Sequence, residues 1–456
     1  MSPAARDPYA ALRHAGYRRF LTGNLLFNTG RQGLSVAIAW QIYQWTQSAT
    51  ALGLVGLVNV IPLLLLLLPA GVLADRLDRR RILTHTMWIS ALLSLTLVLL
   101  TVGHAAIPAA APLRAANHAL QAIALLFERQ VDPASLHFDN PALPLIFLVL
   151  FLQSAVRALG SPARAAIVPL LVPPAAVSNA VTWSSSSFEL STVIGPALGG
   201  FLVAGLGYTP VYVIDAVCSL ALAGSLIGVA LPKLARDPTA PAPDMLAGVR
   251  FIWRRKPILA AITLDLFAVL LGGAVALLPI YADKILHVGP AGLGWLRAAP
   301  AAGAITMAFI VTHLPPARRP GLLMLWTVAG FGAAIMLFGL STNLWLSLAA
   351  LYLSGVCDNY SVVVRHTLVQ MLTPDVLRGR VTAFNQLFIG SSNEISELRA
   401  GLAAALWGPV AAATVGGLGT IAVVGAVAWL LPALKTVPPL HQLRSEPDEA
   451  ENNPSG

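Results

Sequence analysis

Charge is what this chain has least of. Only 11% of its 456 residues are Asp, Glu, Lys or Arg, whereas 57% are hydrophobic, and the mean hydropathy is +0.74. A soluble domain of that length needs more charge to cover its surface, so the apolar excess must face lipid. Cysteine is also scarce. Cys218 and Cys357 both lie inside apolar runs, which argues against a disulfide framework. The nine histidines are scattered, and none has metal-ligand spacing. There is no Gly-Lys-Ser/Thr phosphate loop, so ATP is not the direct energy source. The run Ser184–Ser187 lacks a neighbouring base and reads as interhelical hydrogen bonding rather than as a nucleophile. No metal, no cofactor and no enzymatic activity are expected.

What is present is a succession of apolar runs near twenty residues, each long enough to cross the hydrocarbon core. The expected spans are 20–45, 51–73, 82–103, 144–163, 179–204 and 210–232, then 257–282, 290–312, 321–341, 344–371, 381–405 and 408–432. The fold class is therefore all-α and integral to the membrane, with twelve transmembrane helices. Residues 1–19 are polar and basic, and the apolar stretch after them reads as an uncleaved first span.

Lysine and arginine orient the spans. With both ends inside, the cytoplasmic side carries both tails, Arg76, Arg79–Arg81, Arg250–Lys256, Arg318, Arg319, Arg378 and Arg380. The opposite side has only Arg114, Arg129 and Lys284. This is a strong positive-inside bias, and an odd span count would destroy it. The net charge of +9 is thus a topology signal, with anionic lipid rather than nucleic acid as partner. The location expected is the cell (inner) membrane, as a monomer.

The domain reading follows: a cytoplasmic tail 1–19, a six-helix bundle 20–232, a linker 233–256, a second bundle 257–432, and a disordered cytoplasmic tail 433–456. Within the first bundle, residues 104–143 form a long extracytoplasmic insertion. There Ala115–Phe127 reads either as a short amphipathic helix or as part of a disordered excursion. In the linker, Met245, Val249 and Ile252 alternate with Arg250 and Arg254, as in a helix over Asp244–Lys256 lying on the cytoplasmic surface.

Laid on itself at an offset of 201, the chain matches Leu150 with Leu351, Arg164 with Arg365, Val168 with Val369, and Pro173 with Pro374. A parallel repeat of that length implies two six-helix halves, with the substrate between them near the midplane.

Ionisable groups inside spans are costly and face the bundle interior. Asn24, Asn28, Arg31 and Ser35 share one face of span one; Arg157 in span four follows Gln153 by one turn. The position equivalent to Arg157 in the second half is Asp358, followed by Asn359. Glu189 lies in span five, and Glu394, Glu397 and Arg399 in span eleven. Two readings stand: a polar cavity whose buried carboxylates carry protons, or structural ion pairs. Asp215, Asp265 and Arg365 read as capping or snorkelling groups near span ends.

The loop Gly71-Val72-Leu73-Ala74-Asp75-Arg76-Leu77-Asp78-Arg79-Arg80-Arg81 resembles the signature G-x-x-x-D-R-x-G-R-R/K of the major facilitator superfamily, with Asp78 where glycine is usual. Span five, Ser191-Thr192-Val193-Ile194-Gly195-Pro196-Ala197-Leu198-Gly199-Gly200, resembles the family's antiporter element G-x-x-x-G-P-x-x-G-G. Residues 374–401 are most similar to its enterobactin (siderophore) exporter and macrolide-efflux group. The resemblance implies a proton-coupled exporter of a small amphipathic molecule, siderophore-like or drug-like, working by alternating access and drawing on a proton gradient. It implies gating roles for Gly71, Asp75, Arg76, Arg79 and Arg80, and for Gly195, Pro196, Gly199 and Gly200. Topology alone also accounts for Arg79–Arg81, and helix packing alone for the glycines. Rival readings are macrolide or multidrug efflux, lysolipid flipping, a membrane-embedded enzyme and a non-transporting scaffold.

Overall fold

The computed structural model describes residues 7–229, 246–313 and 317–438, and within these every regular element is helical. The first helices are α1 (Ala15–Thr46), α2 (Ala49–Arg76), α3 (Arg79–Val102), α4 (Ala111–Phe127), α5 (Leu143–Ile167), α6 (Val177–Leu206) and α7 (Tyr208–Ser225). Then come α8 (Leu246–Arg254), α9 (Lys256–Gly272), the single turn α10 (Leu278–Ile280) and α11 (Gly289–His313). The last are α12 (Pro320–Leu340), α13 (Leu344–Leu372), α14 (Asp375–Trp407) and α15 (Pro409–Leu430).

Ten spans among the described residues are long and apolar enough to cross a membrane. The helices α1 and α14 complete the expected twelve. They are 32 and 33 residues long, but Arg31 in one and Glu394, Glu397 and Arg399 in the other dilute their hydropathy. A helix whose polar face is covered by protein needs only a partial apolar surface.

The chain divides into two compact units. One holds Met1–Arg236 with Leu278–Ala298, and the other holds Asp237–Leu277 with Ala299–Gly456. In the first, α1 packs on α6 and α7, α2 on α5, and α3 on α5 and α7. In the second, α12 packs on α13 and α15, and α9 on α14 and α15.

The repeat is visible in the backbone. Gly207, between α6 and α7, has φ 81°, and Gly408, 201 residues later between α14 and α15, has φ 84°. A side chain is strained in that conformation, so each tight link needs glycine. Gln47 (φ 52°) follows α1, and His287 (φ 51°) precedes α11, the corresponding loop of the second set.

The seventh span is not the continuous helix expected over 257–282. α9 stops at Gly272, and a 3-10 turn Val275–Leu277, α10 and a π-helical turn Tyr281–Ile285 complete the crossing. At the break the backbone of Gly273 is extended, and α14 lies so close that a Cβ there would collide with Ser396 Oγ, so the position needs glycine. The break frees the carbonyl of Gly273, and Arg399 Nη2 donates to it at 3.0 Å. A broken backbone at membrane depth needs such a partner.

The insertion is ordered, and its helix runs Ala111–Phe127. Glu128 closes it against the first bundle: Ser48 Oγ donates to Glu128 Oε1 at 2.7 Å, and the Thr50 amide donates to the same oxygen at 2.9 Å. The His137 amide reaches Thr46 O at 3.2 Å, and Asn117 Nδ2 reaches Asn140 O at 2.9 Å. The linker helix also differs from expectation. α8 buries Ile252 against Ile258, Ile262, Val369 and Val381, so it docks on α9, α13 and α14 and does not lie free on the lipid surface. Met245, the Pro-rich start of the linker and the acidic end of the tail fall outside the described residues.

Candidate transport site and gating elements

Buried charge in the first unit forms a connected chain. Arg31 Nη1 donates to Gln153 Oε1 at 2.7 Å, Gln153 Nε2 to Ser94 Oγ at 3.2 Å, and Ser94 Oγ to Asp215 Oδ2 at 2.5 Å. Asp215 has no solvent exposure. It lies seven residues into α7 as the acidic end of this chain, not as a cap or a snorkelling group. Helical spacing stacks the members: Gln153, Ser154 and Arg157 lie on adjoining turns of α5. Arg157 Nη2 donates to Ser154 Oγ at 3.4 Å, and Ser154 Oγ donates to Asn59 O at 2.7 Å. Two turns on from Arg157, Arg164 Nη1 donates to Asn28 Oδ1 at 3.4 Å, with its guanidinium 5.3 Å from the Phe27 ring centroid. The structure thus links Arg31 and Gln153 to Ser94 and Asp215, sets Arg157 beside Ser154, and places Asn28 against Arg164. Glu189 sits half-buried on α6 outside this hydrogen-bonded chain.

In the second unit the main electrostatic feature is an ion pair the sequence did not suggest. Asp265 on α9 meets Arg365 on α13, both almost fully buried. Neither snorkels. Asp265 is nine residues into α9, and Arg365 is seven residues before the end of α13. Asp358, Glu394 and Glu397 are half-buried on α13 and α14, and Asn359 has a buried side-chain oxygen without a hydrogen-bond partner among the described residues. An apolar cavity of about 510 Å³ lies between α14 and α15, walled by Leu271, Leu398, Leu402, Trp407 and Val415.

Small residues set the packing of α6. A Cβ on Gly199 would lie 2.6 Å from Gly33 Cα of α1, and one on Gly195 would lie 2.5 Å from Gln32 Cβ. On another face of α6, a Cβ on Gly200 would lie 2.7 Å from Gly294 Cα of α11. Such contacts let helix backbones approach where side chains would hold them apart.

The profile of the Major Facilitator Superfamily matches residues 20–393. The chain belongs to that family. Members of the superfamily are membrane transporters, not enzymes, and this chain is a multi-pass transporter of the same kind. It is 28% identical over 425 residues to the enterobactin exporter EntS of Citrobacter koseri, covering 92% of each chain. It is 31% identical over 290 residues to the enterobactin exporter EntS of Shigella boydii, covering 62% of this chain and 68% of that one. In fold it is similar to a bacterial homologue of the human lysosomal transporter Spinster, with a TM-score of 0.68 at 14% identity over 94% of this chain and 98% of that one.

The superfamily's signature loop departs from glycine at Asp78, and the structure gives the reason. Asp78 is the N-cap of α3, its Oδ1 accepting from the Arg80 amide at 2.9 Å. Arg80 also reaches across the unit, its Nη1 donating to Val229 O at 3.1 Å beyond the end of α7. Gly71 lies in α2 with open space where a Cβ would be, and Arg79 opens α3. The side chains of Asp75 and Arg76 fall outside the described residues. In the antiporter element Ser191 replaces the first glycine, and its hydroxyl lies within donating distance of Ser187 O at 2.8 Å and of Leu25 O on α1 at 3.3 Å. Of the serine run, Ser184 hydrogen-bonds the hydroxyl of Tyr17 at 3.0 Å, an interhelical contact between α1 and α6.

Proposed function

We propose that the chain is a proton-coupled exporter of a small, acidic, amphipathic molecule of the siderophore class, working by alternating access with both termini cytoplasmic. The observation that carries the reading is the set of guanidinium donors in the first unit: Arg31 donates to Gln153 on α5, Arg157 to Ser154, and Arg164 to Asn28 on α1. Half-buried arginines with a planar donor fork suit an anionic or catechol-bearing ligand and disfavour a cationic one. The relatives named as enterobactin exporters support the same substrate class. Multidrug or macrolide efflux is the second reading, favoured by the apolar cavity beside Trp407.

The energy source we assign is the proton gradient, with ionisable groups inside the membrane as carriers. Glu189, Asp358, Glu394 and Glu397 are the carriers proposed from their depth. The bias of lysine and arginine supports the orientation. The test is uptake into vesicles that hold the purified protein under an imposed pH gradient, screened against siderophores and cationic drugs. Gradient-dependent movement of enterobactin, reduced by Arg31→Gln, is the expected result. Movement of cationic drugs alone would replace the substrate class, and indifference to the gradient would sink the coupling.

A further inference from the structure

The repeat places two arginines at matching positions, and the structure shows that each reaches back to the first helix of its own set. Arg164 on α5 reaches Asn28 on α1, and Arg365 on α13 reaches Asp265 on α9. The geometry is shared, but the chemistry is not, because an amide meets the arginine in one unit and a carboxylate in the other. An Asn oxygen only accepts at any pH, whereas a carboxylate takes up a proton and then no longer balances the guanidinium.

We propose that Asp265 is a proton-binding site of the transporter, with Arg365 as its counter-charge, and that protonation opens the pair and releases α9 from α13. The inference rests on the proton-coupled reading above. The step is balanced: one proton adds to a carboxylate oxygen of Asp265, Arg365 keeps its own proton, and the pair passes from net zero to +1. Loss of that proton on the far side restores the pair. Asp265 lies nine residues from the start of α9 and Arg365 seven from the end of α13, roughly 10–14 Å along helices that cross a hydrocarbon core about 30 Å thick. At that depth an unpaired guanidinium is costly, so the charge state of Asp265 is coupled to helix position. Ser361 stands ready as a substitute acceptor. It is one turn before Arg365 on the same face, and its buried hydroxyl is without a hydrogen-bond partner among the described residues.

α12 and α15, which pack on α9, carry no titratable residue in Pro320–Leu340 or Pro409–Leu430. α13 carries Tyr352, Cys357, Asp358, Tyr360 and the half-buried His366, which feels the charge of Arg365, and α14 carries Asp375, Arg378, Arg380, Glu394, Glu397 and Arg399. α8 and the start of α9 contribute Arg250, Arg254, Arg255 and Lys256, Lys435 follows the short turn beyond α15, and His313 ends α11 against Phe309. Among the described residues Asp265 is the ion-pair partner of Arg365, and Arg399 is engaged by Gly273 O.

The experiment compares wild type with Asp265→Asn/Arg365→Gln, a double change that leaves no lone buried charge. Enterobactin is the probe in reconstituted vesicles. The double variant is expected to lose at least tenfold of gradient-driven accumulation, together with its pH dependence. A double variant driven as well as wild type overturns the proposal. Wild type that moves enterobactin but ignores the gradient overturns the coupling reading itself, a distinct result. A second measurement needs no substrate: amide hydrogen exchange of wild type from pH 5 to 9. After correction for the base-catalysed intrinsic rate, the protection factors of residues 260–268 and 360–368 are expected to fall on acidification, with one midpoint that Asp265→Asn removes. Protection factors that are flat with pH overturn the proposal even if the double variant fails to fold.

Discussion

Glu128, near the middle of the insertion at 104–143, accepts from Ser48 Oγ at 2.7 Å and so reinforces the residue that itself caps α2. Ser48 Oγ takes the Ala51 amide, and Glu128 takes the Thr50 amide, so two of the free amides at the helix start are satisfied together. Glu128→Ala leaves both groups buried without that acceptor. The expected loss is about 1–3 kcal/mol, read as a lower midpoint of thermal unfolding in detergent, with Glu128→Gln losing less. An unchanged midpoint in the alanine variant would show that the insertion is not fastened this way.

Asp78 offers a test of capping against turn geometry. Asp78→Ala removes the acceptor for the Arg80 amide and should cost about 1 kcal/mol, whereas Asp78→Gly should cost a few tenths. Equal losses in the two variants, measured by thermal unfolding, would mean that the side chain is not acting as a cap.

Gly199→Ala forces a methyl group to within 2.6 Å of Gly33 Cα, with the backbone of α1 as the obstacle. Overpacking of this kind costs about 1–3 kcal/mol. Gly205→Ala, on the same helix with nothing within 4 Å, should change stability by less than about 0.5 kcal/mol. The comparison is made on yield of monodisperse protein and on unfolding temperature. Indifference to both substitutions would mean that α1 and α6 are less closely packed than described.

Asp215→Asn keeps an acceptor for Ser94 but removes the negative charge that ends the chain from Arg31. Transport should fall at least tenfold while the folded yield stays near wild type. Asp215→Ala should also lose about 1–3 kcal/mol, because the Ser94 hydroxyl and Gln153 lose their anchor. Full transport by both variants would reduce the chain to packing.

The span boundaries were legible because lipid imposes one long apolar period, and turn residues such as Gly207 and Gly408 punctuate it. The repeat was legible for the same reason, and Arg164 with Arg365 already marked it. What could not be read was pairing across helices. Asp215 and Asp265 are the only charged residues in the spans expected at 210–232 and 257–282, and linear position does not reveal that Ser94 on α3 meets the first and Arg365 on α13 the second. One signal was present: buried arginines need acceptors, and a chain with Arg31 and Arg365 inside its spans must supply them from somewhere. The break at Gly273 was hidden because it depends on how closely α14 approaches, a property of two segments more than a hundred residues apart.

The polar face of α1 has a consequence for biogenesis. An arginine at the centre of an inserting helix costs about 2.5–3.5 kcal/mol, and Asn24, Asn28 and Gln41 add to the burden. The partner of Arg31 on α5, Gln153, is made 122 residues later, and Asp215 later still. During synthesis α1 therefore precedes the groups that make its burial tolerable, whereas α2 and α3 suit lipid at once. The helix that appears early should settle late, held near the translocon until α5 and α7 arrive to receive it.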